Sequence, residues 1–469
     1  MAADRNRPRP LRIGWVVAAT SFGFALVQLD VTIVNVALPH IGRDLRTGVA
    51  GLQWVVDAYA LVFAALLLTA GFLGDRFGAR RIYLGGLALF ALASLGCGLA
   101  IDDAVLIAGR AAQGIAAAAM LPSSLTLLNH ATAHDAKLRA WAVGWWTAAG
   151  SIMVAAGPII GGLILGFADW RLIFLVNLPI CAIGAALVWR LDETQHDDGG
   201  RGFDPLGQIL GIVALGALVG AVIEAKPLGL THPLVLAGFA VGICATAGFI
   251  AAEARVRHPM LPLKLFRVPG FAVCVLYGMV VNLTYYGVIF VLSLYLQIAL
   301  GYSGMRTGFA YLPLTATFFV VNVVSGTVVS RFGSRRPMIW GALVDAAGFA
   351  LLLRLGGASH YAAMLIPFAL MPAGMGTGVP AMTTAVLAGI PKEFSGVGAA
   401  VLNAARQAAG AIGVAVFGAF TGEDRGHIVS GLHISATIAI VLLLGAAAMT
   451  SIAMPKPRPR KVSQAKTTG

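Results

Sequence analysis

Stretches of about twenty apolar residues recur along the whole chain, and they constrain its fold more than any other feature. Crossing ~30 Å of hydrocarbon at ~1.5 Å per residue takes about 20 helical residues, and inside lipid a helix satisfies its own backbone groups. Fourteen such stretches are read, at 11–38, 51–73, 81–100, 104–128, 138–166, 170–190, 205–225, 232–252, 270–299, 306–329, 337–355, 360–390, 396–420 and 432–453. Composition agrees, because 58% of the 469 residues are hydrophobic and only 11% charged. Soluble domains carry roughly 25% charged residues, so this chain cannot cover a soluble surface. The expected class is an all-α integral membrane protein.

The formal net charge of +13 belongs to topology. With both termini on the cytoplasmic side, the cytoplasmic segments hold twenty-four Lys and Arg residues and the opposite segments seven. That asymmetry follows the positive-inside rule, and an error of one span would scramble it. Arg5, Arg7, Arg9 and Arg12 before the first run resemble a signal peptide, but the run continues to Leu38 without a clear cleavage site and reads as a retained span. No basic stripe with interleaved aromatics indicates nucleic acid. Cys97, Cys181, Cys244 and Cys274 stand singly in apolar runs and read as small buried residues, and no metal-ligand spacing occurs. Trp54, Trp170, Trp189 and Trp340 fall near span ends, as interfacial tryptophans do.

An internal repeat sets the organisation. GFLGDRFGARR at 71–81 matches GTVVSRFGSRR at 326–336 in six positions of eleven, at an offset of 255 residues. The copies join spans two and three and spans ten and eleven, so the offset is eight spans. Two six-helix bundles related as parallel repeats, with two helices inserted between them, explain this, and transporters use such halves to hold substrate near the midplane. The expected units are an N-terminal tail at 1–10, a first bundle at 11–190, a linker with two extra spans at 191–269, a second bundle at 270–453 and a basic tail at 454–469.

Motifs then carry a family resemblance. Segment 71–81 resembles the first cytoplasmic loop motif of the major facilitator superfamily, although Ala79 stands where a basic residue is usual. LDVTIVNVALP at 29–39 resembles the first-span signature, LIAGRAAQGIAAA at 106–118 the fourth-span motif, and GSIMVAAGPIIGG at 150–162 the fifth-span antiporter motif. WRLIFLVNLP at 170–179 and the stretches 293–313 and 402–415 are similar to the fourteen-spanner drug:proton antiporters, in their antibiotic-resistance branch that includes methylenomycin exporters. The resemblance implies a bacterial inner-membrane exporter of drugs, antibiotics or other small amphipathic molecules, exchanging them for protons. Its partners would be lipid, protons and the small-molecule substrate, with no cofactor.

Individual residues give this reading its chemistry. Asp30, in the first span, is costly unless paired, solvated or protonated. Burial favours its neutral form and a nearby cation its anion, so it either cycles a proton or serves as a static hydrogen-bonded group. Arg110, in the fourth span, is its candidate partner and by resemblance part of proton coupling; snorkelling to the interface is the other reading. Asp57, beside Trp54 and Tyr59, is a third proton-coupling candidate, expected to line an outward vestibule or to meet interfacial water. Gly71, Asp75, Arg76, Gly78, Arg80 and Arg81 form a candidate gating loop, asymmetric because Ser330 replaces Asp75 in the second copy. Gly150, Gly157, Pro158, Gly161 and Gly162 give a kinked fifth span with a narrow face. That motif marks exchangers by resemblance, and helix packing is its plainer explanation.

Candidates for the substrate cavity are Asn35, Gln113, Trp145, Trp146, Asn282, Tyr285, Tyr286, Gln297, Asn322 and Arg406, since a site for apolar molecules needs aromatic walls and a few polar groups. Tyr295 belongs to the same set. Arg406 needs a partner inside the membrane, with Asp345 a candidate, while Glu224 reads as interfacial. A same-fold facilitator or importer without proton antiport is the alternative. An enzyme is disfavoured, because no P-loop or GxSxG motif occurs and no loop offers room for a catalytic domain.

Overall fold

The computed structural model describes residues 10–191, 193, 204–256, 259–268, 270–390 and 395–454. Most of the two expected tails, and parts of the linker, therefore lie outside the described residues. The described chain is helical: α1 (Pro10–Asp44), α2 (Val49–Phe77), α3 (Ala79–Gly98), α4 (Asp103–Ala131), α5 (Ala136–Phe167), α6 (Leu172–Leu175), α7 (Asn177–Val188), α8 (Pro205–Leu228), α9 (Pro233–Glu253), α10 (Phe271–Leu294), α11 (Gly304–Ala310), α12 (Leu312–Phe332), α13 (Arg335–Leu352), α14 (Ala362–Gly389), α15 (Ser395–Ala419) and α16 (Arg425–Ala453).

Among the described residues, twelve helices are long and apolar enough to cross a membrane, counting α11 and α12 as one segment from Gly304 to Phe332. The expected sixth and eleventh spans fall short of that standard. The sixth is the shorter apolar stretch Leu172–Val188, split at Val176 into α6 and α7. The eleventh is α13, 18 residues carrying Arg335, Arg336 and Asp345. The last helix begins at Arg425, a turn and more before the apolar run, because Asp424 caps it by accepting from His427 N at 3.0 Å.

Local chemistry explains the boundaries. Asp102, Asp135, Asp204 and Ser303 each accept a backbone hydrogen bond at the start of a helix. Both copies of the sequence repeat break the helix at a glycine with positive φ, 96° at Gly78 and 71° at Gly333. Side chains with a Cβ rarely adopt that conformation, which accounts for this identity in the repeat.

Packing reproduces the repeat in space. In the first bundle α1 lies on α5, and α4 lies on α2 and α3, with α7 closing on α3. In the second, α10 lies on α15, and α14 lies on α12 and α13, with α16 closing on α13. The bundles meet where α2 packs on α15 and α5 on α11 and α12. The inserted pair α8–α9 rests α8 on the α2–α15 seam. Gln208 Nε2 donates to Ala65 O at 2.9 Å, Trp54 Nε1 to Glu224 Oε1 at 2.9 Å, and Lys226 Nζ to Thr421 O, so α8 touches both bundles.

Candidate functional site

Polar side chains from five helices converge inside the first bundle. Arg110 Nη1 on α4 donates to Asp30 Oδ2 on α1 at 2.5 Å, with side-chain exposures of 2% and 0%. Arg110 Nη1 also donates to Gln113 Oε1 at 2.7 Å, and its Nε donates to Val55 O on α2 at 3.0 Å. The guanidinium carbon lies 4.4 Å from the Tyr59 ring centroid. Asp30 Oδ1 accepts from Asn177 Nδ2 on α7 at 3.1 Å and from Gln113 Nε2 at 3.3 Å. Ser94 Oγ on α3 accepts from Gln113 Nε2 at 2.7 Å and from Asn177 Nδ2 at 3.3 Å. A cation, an anion and three neutral polar groups thus hydrogen-bond to one another in a buried interior, where an isolated charge would be prohibitive, and Asn177 Oδ1 is the one oxygen of the group without a partner among the described residues.

The structure brings Asp30, Arg110 and Gln113 together, so Gln113 belongs to this network rather than to a substrate cavity. Snorkelling of Arg110 is overturned by the same geometry. Sequence reasoning missed Ser94 and Asn177 as members. The signal for Asn177 was an amide inside the apolar stretch 170–179. Asp57 does not join them. It is fully buried on α2, and neither carboxylate oxygen has a hydrogen-bond partner among the described residues.

The candidate gating loop is held by the chain that leaves α7. Glu193 Oε1 accepts from Arg80 N at 2.9 Å, and Glu193 Oε2 lies 3.8 Å from Arg80 Nε and 3.7 Å from Arg81 Nε. Arg80 Nη1 donates to Leu191 O at 2.7 Å. Arg76 and Phe77 are exposed at the end of α2, with Asp75 and Gly71 half-buried beside them.

The glycines of α5 divide between two tasks. Cβ atoms at Gly150 and Gly157 would fall onto Phe24 and Thr32 of α1, and one at Gly161 would lie 3.0 Å from Ile33 O. Those three let α1 and α5 close within the first bundle. A Cβ at Gly162 would instead lie 2.9 Å from Gly304 O on α11, and one at Gly308 would strike Pro158 O. Pro158 and Gly162 therefore seat the second bundle against the first.

Between described residues, the bundles are also joined by hydrogen bonds in the half away from the termini. Ser293 Oγ donates to Asn35 O, Gln297 Nε2 to Val36 O at 2.8 Å, and Gln53 Nε2 to Val414 O at 3.0 Å and Ala415 O at 2.7 Å. Below that closure lies a cavity lined from both bundles, by Asn35 and Pro158 on one side and Tyr285, Tyr286 and Tyr311 on the other. Its free volume, about 20 Å³, admits little more than one water molecule. The remaining cavity candidates are dispersed. Gln297 serves the closure, Trp146 stacks on Phe24 at 3.9 Å, and Trp145 is exposed on α5. Asn282 and Asn322 donate to carbonyls of their own helices, Gly278 O at 2.9 Å and Phe318 O at 2.8 Å. Tyr295 donates to Gly356 O at 2.7 Å, away from the cavity.

Two further expectations are corrected. Arg406 is not paired with Asp345: its hydrogen bond is to Asn403 Oδ1, at 3.4 Å, whereas Asp345 is buried against Gly374 on α14. Cys244 is exposed on α9, because α9 is the outermost helix of the inserted pair, while the other three cysteines are buried.

Two helical bundles with the same packing pattern, meeting along α2–α15 and α5–α11–α12, have the architecture of a membrane transporter. Residues 20–414 match the family model described as Major Facilitator Superfamily, and the chain belongs to that family. It is 36% identical over 454 residues to a methylenomycin A resistance protein of Streptomyces coelicolor, covering 96% of this chain and 94% of that one. It is 31% identical to the multidrug efflux pump LfrA of Mycolicibacterium smegmatis, covering 95% and 89%. Among solved structures, a D-xylose-proton symporter superposes with a TM-score of 0.69 at 14% identity, covering 94% of this chain and 98% of that one. A bacterial homologue of the lysosomal transporter Spinster gives 0.68 at 17% identity, covering 95% and 98%. At such identities the two structures establish the fold alone.

Proposed function

We propose that this protein exports drugs, antibiotics or related amphipathic molecules across the bacterial inner membrane in exchange for protons, by alternating access between its two bundles. The relatives named for antibiotic resistance and multidrug efflux support export. The observation that carries proton coupling is the sealed Asp30–Arg110 pair. Ionised Asp30 neutralises Arg110 and ties α1 to α4; protonated Asp30 releases that tie and leaves Arg110 to its remaining acceptors, Val55 O and Gln113 Oε1. The bundle thus has two arrangements that differ by one proton.

In the same reading the chain spans the membrane fourteen times, with both termini cytoplasmic. The short α6–α7 stretch and α13 complete the eight-span offset between the packing patterns of the bundles. Loop 71–81, held by Glu193, acts as the gate on the cytoplasmic side.

The test uses proteoliposomes with the interior acidified and a panel of lipophilic cations and antibiotics. Substrate-dependent collapse of the gradient, lost in Asp30→Asn, supports antiport. Substrate flux that ignores the gradient and survives the substitution sinks it and favours a facilitator.

A further inference from the structure

Arg406 is an intramembrane cation whose charge nothing among the described residues neutralises. Its single hydrogen bond, to Asn403 Oδ1, is long at 3.4 Å, and its Nε is buried without a partner. The contrast with Arg110, which has a carboxylate, an amide oxygen and a backbone carbonyl, is complete.

Its position is equally informative. The Arg406 stem packs over Gly278, where a Cβ would lie 3.1 Å from Arg406 Cγ. Gly278, Asn282, Tyr286 and Ile289 recur at helical spacing on one stripe of α10. Tyr286 and Ile289 line the inter-bundle cavity. One turn along α15 from Arg406, Gly410 seats the Tyr286 ring, with its Cβ position 3.0 Å from Tyr286 Cδ2. Arg406 therefore lies on the cavity-facing stripe, about one turn along α15 from the seat of the cavity-lining Tyr286, on the side away from the hydrogen-bonded closure. Next to it is an aromatic wall: Tyr285 meets Tyr286 edge-on at 5.5 Å and stacks on Phe318 at 6.1 Å.

We infer that Arg406 is the anion-recognition residue of the substrate path, and that the transported molecules include amphipathic anions, carboxylates or sulfonates, with an aromatic or apolar body. An unpaired guanidinium inside a membrane span gains most from a ligand that supplies its missing charge. Its planar fork matches a carboxylate or sulfonate, while the tyrosines cover the apolar part. This rests on the export reading above and names its substrate class.

The test measures equilibrium binding to the full chain in nanodiscs, using isosteric pairs: naphthalene-2-sulfonate against naphthalene-2-sulfonamide, and 2-naphthoate against 2-naphthamide. The wild type is expected to prefer each anion to its neutral partner. Arg406→Gln should collapse that preference about tenfold or more, the scale of a charge-assisted hydrogen bond, and Arg406→Lys should restore part of it. The ratio within each protein removes any general loss of folded material. Absence of an anion preference in wild type, or its persistence in Arg406→Gln, overturns the inference. Gradient collapse in proteoliposomes by neutral probes alone leaves the export reading standing while this one fails; anion preference without gradient-coupled flux of any probe does the reverse.

Discussion

Arg110 Nη1 donates to Asp30 Oδ2 at 2.5 Å, and neither side chain reaches solvent. The two residues are 80 positions apart and on different helices, yet each is the other's electrostatic complement. Removing one partner leaves a buried charge without compensation, which costs about 3–5 kcal/mol. Arg110→Ala should therefore lower the thermal unfolding temperature in detergent far more than the double variant Asp30→Asn/Arg110→Ala. Equal losses in the two would mean that the pair is not coupled.

Asp57 offers the opposite case. It is as buried as Asp30, but neither oxygen has a hydrogen-bond partner among the described residues. Replacing an unsatisfied buried carboxyl group with an amide removes no bond, so Asp57→Asn is expected to leave thermal stability unchanged or raised. A clear loss of stability would show that Asp57 has partners in the membrane. Proton-coupled flux measured on the same stable variant then reports whether its carboxyl takes part in transport.

The glycines of α5 separate packing within a bundle from packing between bundles. Gly162→Ala places a methyl group 2.9 Å from Gly304 O, across the seam, whereas a Cβ at Gly144 meets nothing within 4 Å. Gly162→Ala should loosen the closed end and increase thiol labelling of a cysteine placed at Thr307 on α11, while Gly144→Ala leaves labelling as in the parent. Identical labelling in both would remove Gly162 from the seam.

Gly78 joins α2 to α3 at φ 96°, and a Cβ there would lie 2.7 Å from the Glu193 carboxyl carbon. Gly78→Ala thus strains the backbone and displaces Glu193 at once. It should impair transport more than Gly85→Ala, where a Cβ meets nothing within 4 Å. Comparable transport in the two would deny the loop its gating role.

Fourteen spans require α13 to cross the membrane despite its 18 residues and its charges. With the native cysteines replaced, Ser334→Cys and His360→Cys flank this helix. Impermeant thiol reagents should reach them from opposite faces of the membrane, and labelling from one face would remove α13 from the count.

Much of this architecture is legible in the sequence because lipid imposes a local rule. A helix in hydrocarbon needs only enough consecutive apolar residues, so its existence can be read one segment at a time. The repeat at 71–81 and 326–336, with glycines that the backbone geometry demands, announced two similar bundles. Where local rules mix, reading by segment fell short: the apolar stretch 170–190 proved to be two short helices, and α13 carries charges within minimal length. The candidate site divides in the same way. A carboxylate and an arginine inside apolar spans could be picked out from their cost alone, but only the packing of α1, α3, α4 and α7 brought Gln113 and Asn177 to Asp30 and Ser94 to both amides. Asp57 and Arg406 look equally expensive in the sequence, and only the fold left them without ionic partners among the described residues, because hydrogen-bond partnership between distant residues depends on helix rotation and contact that no single segment encodes.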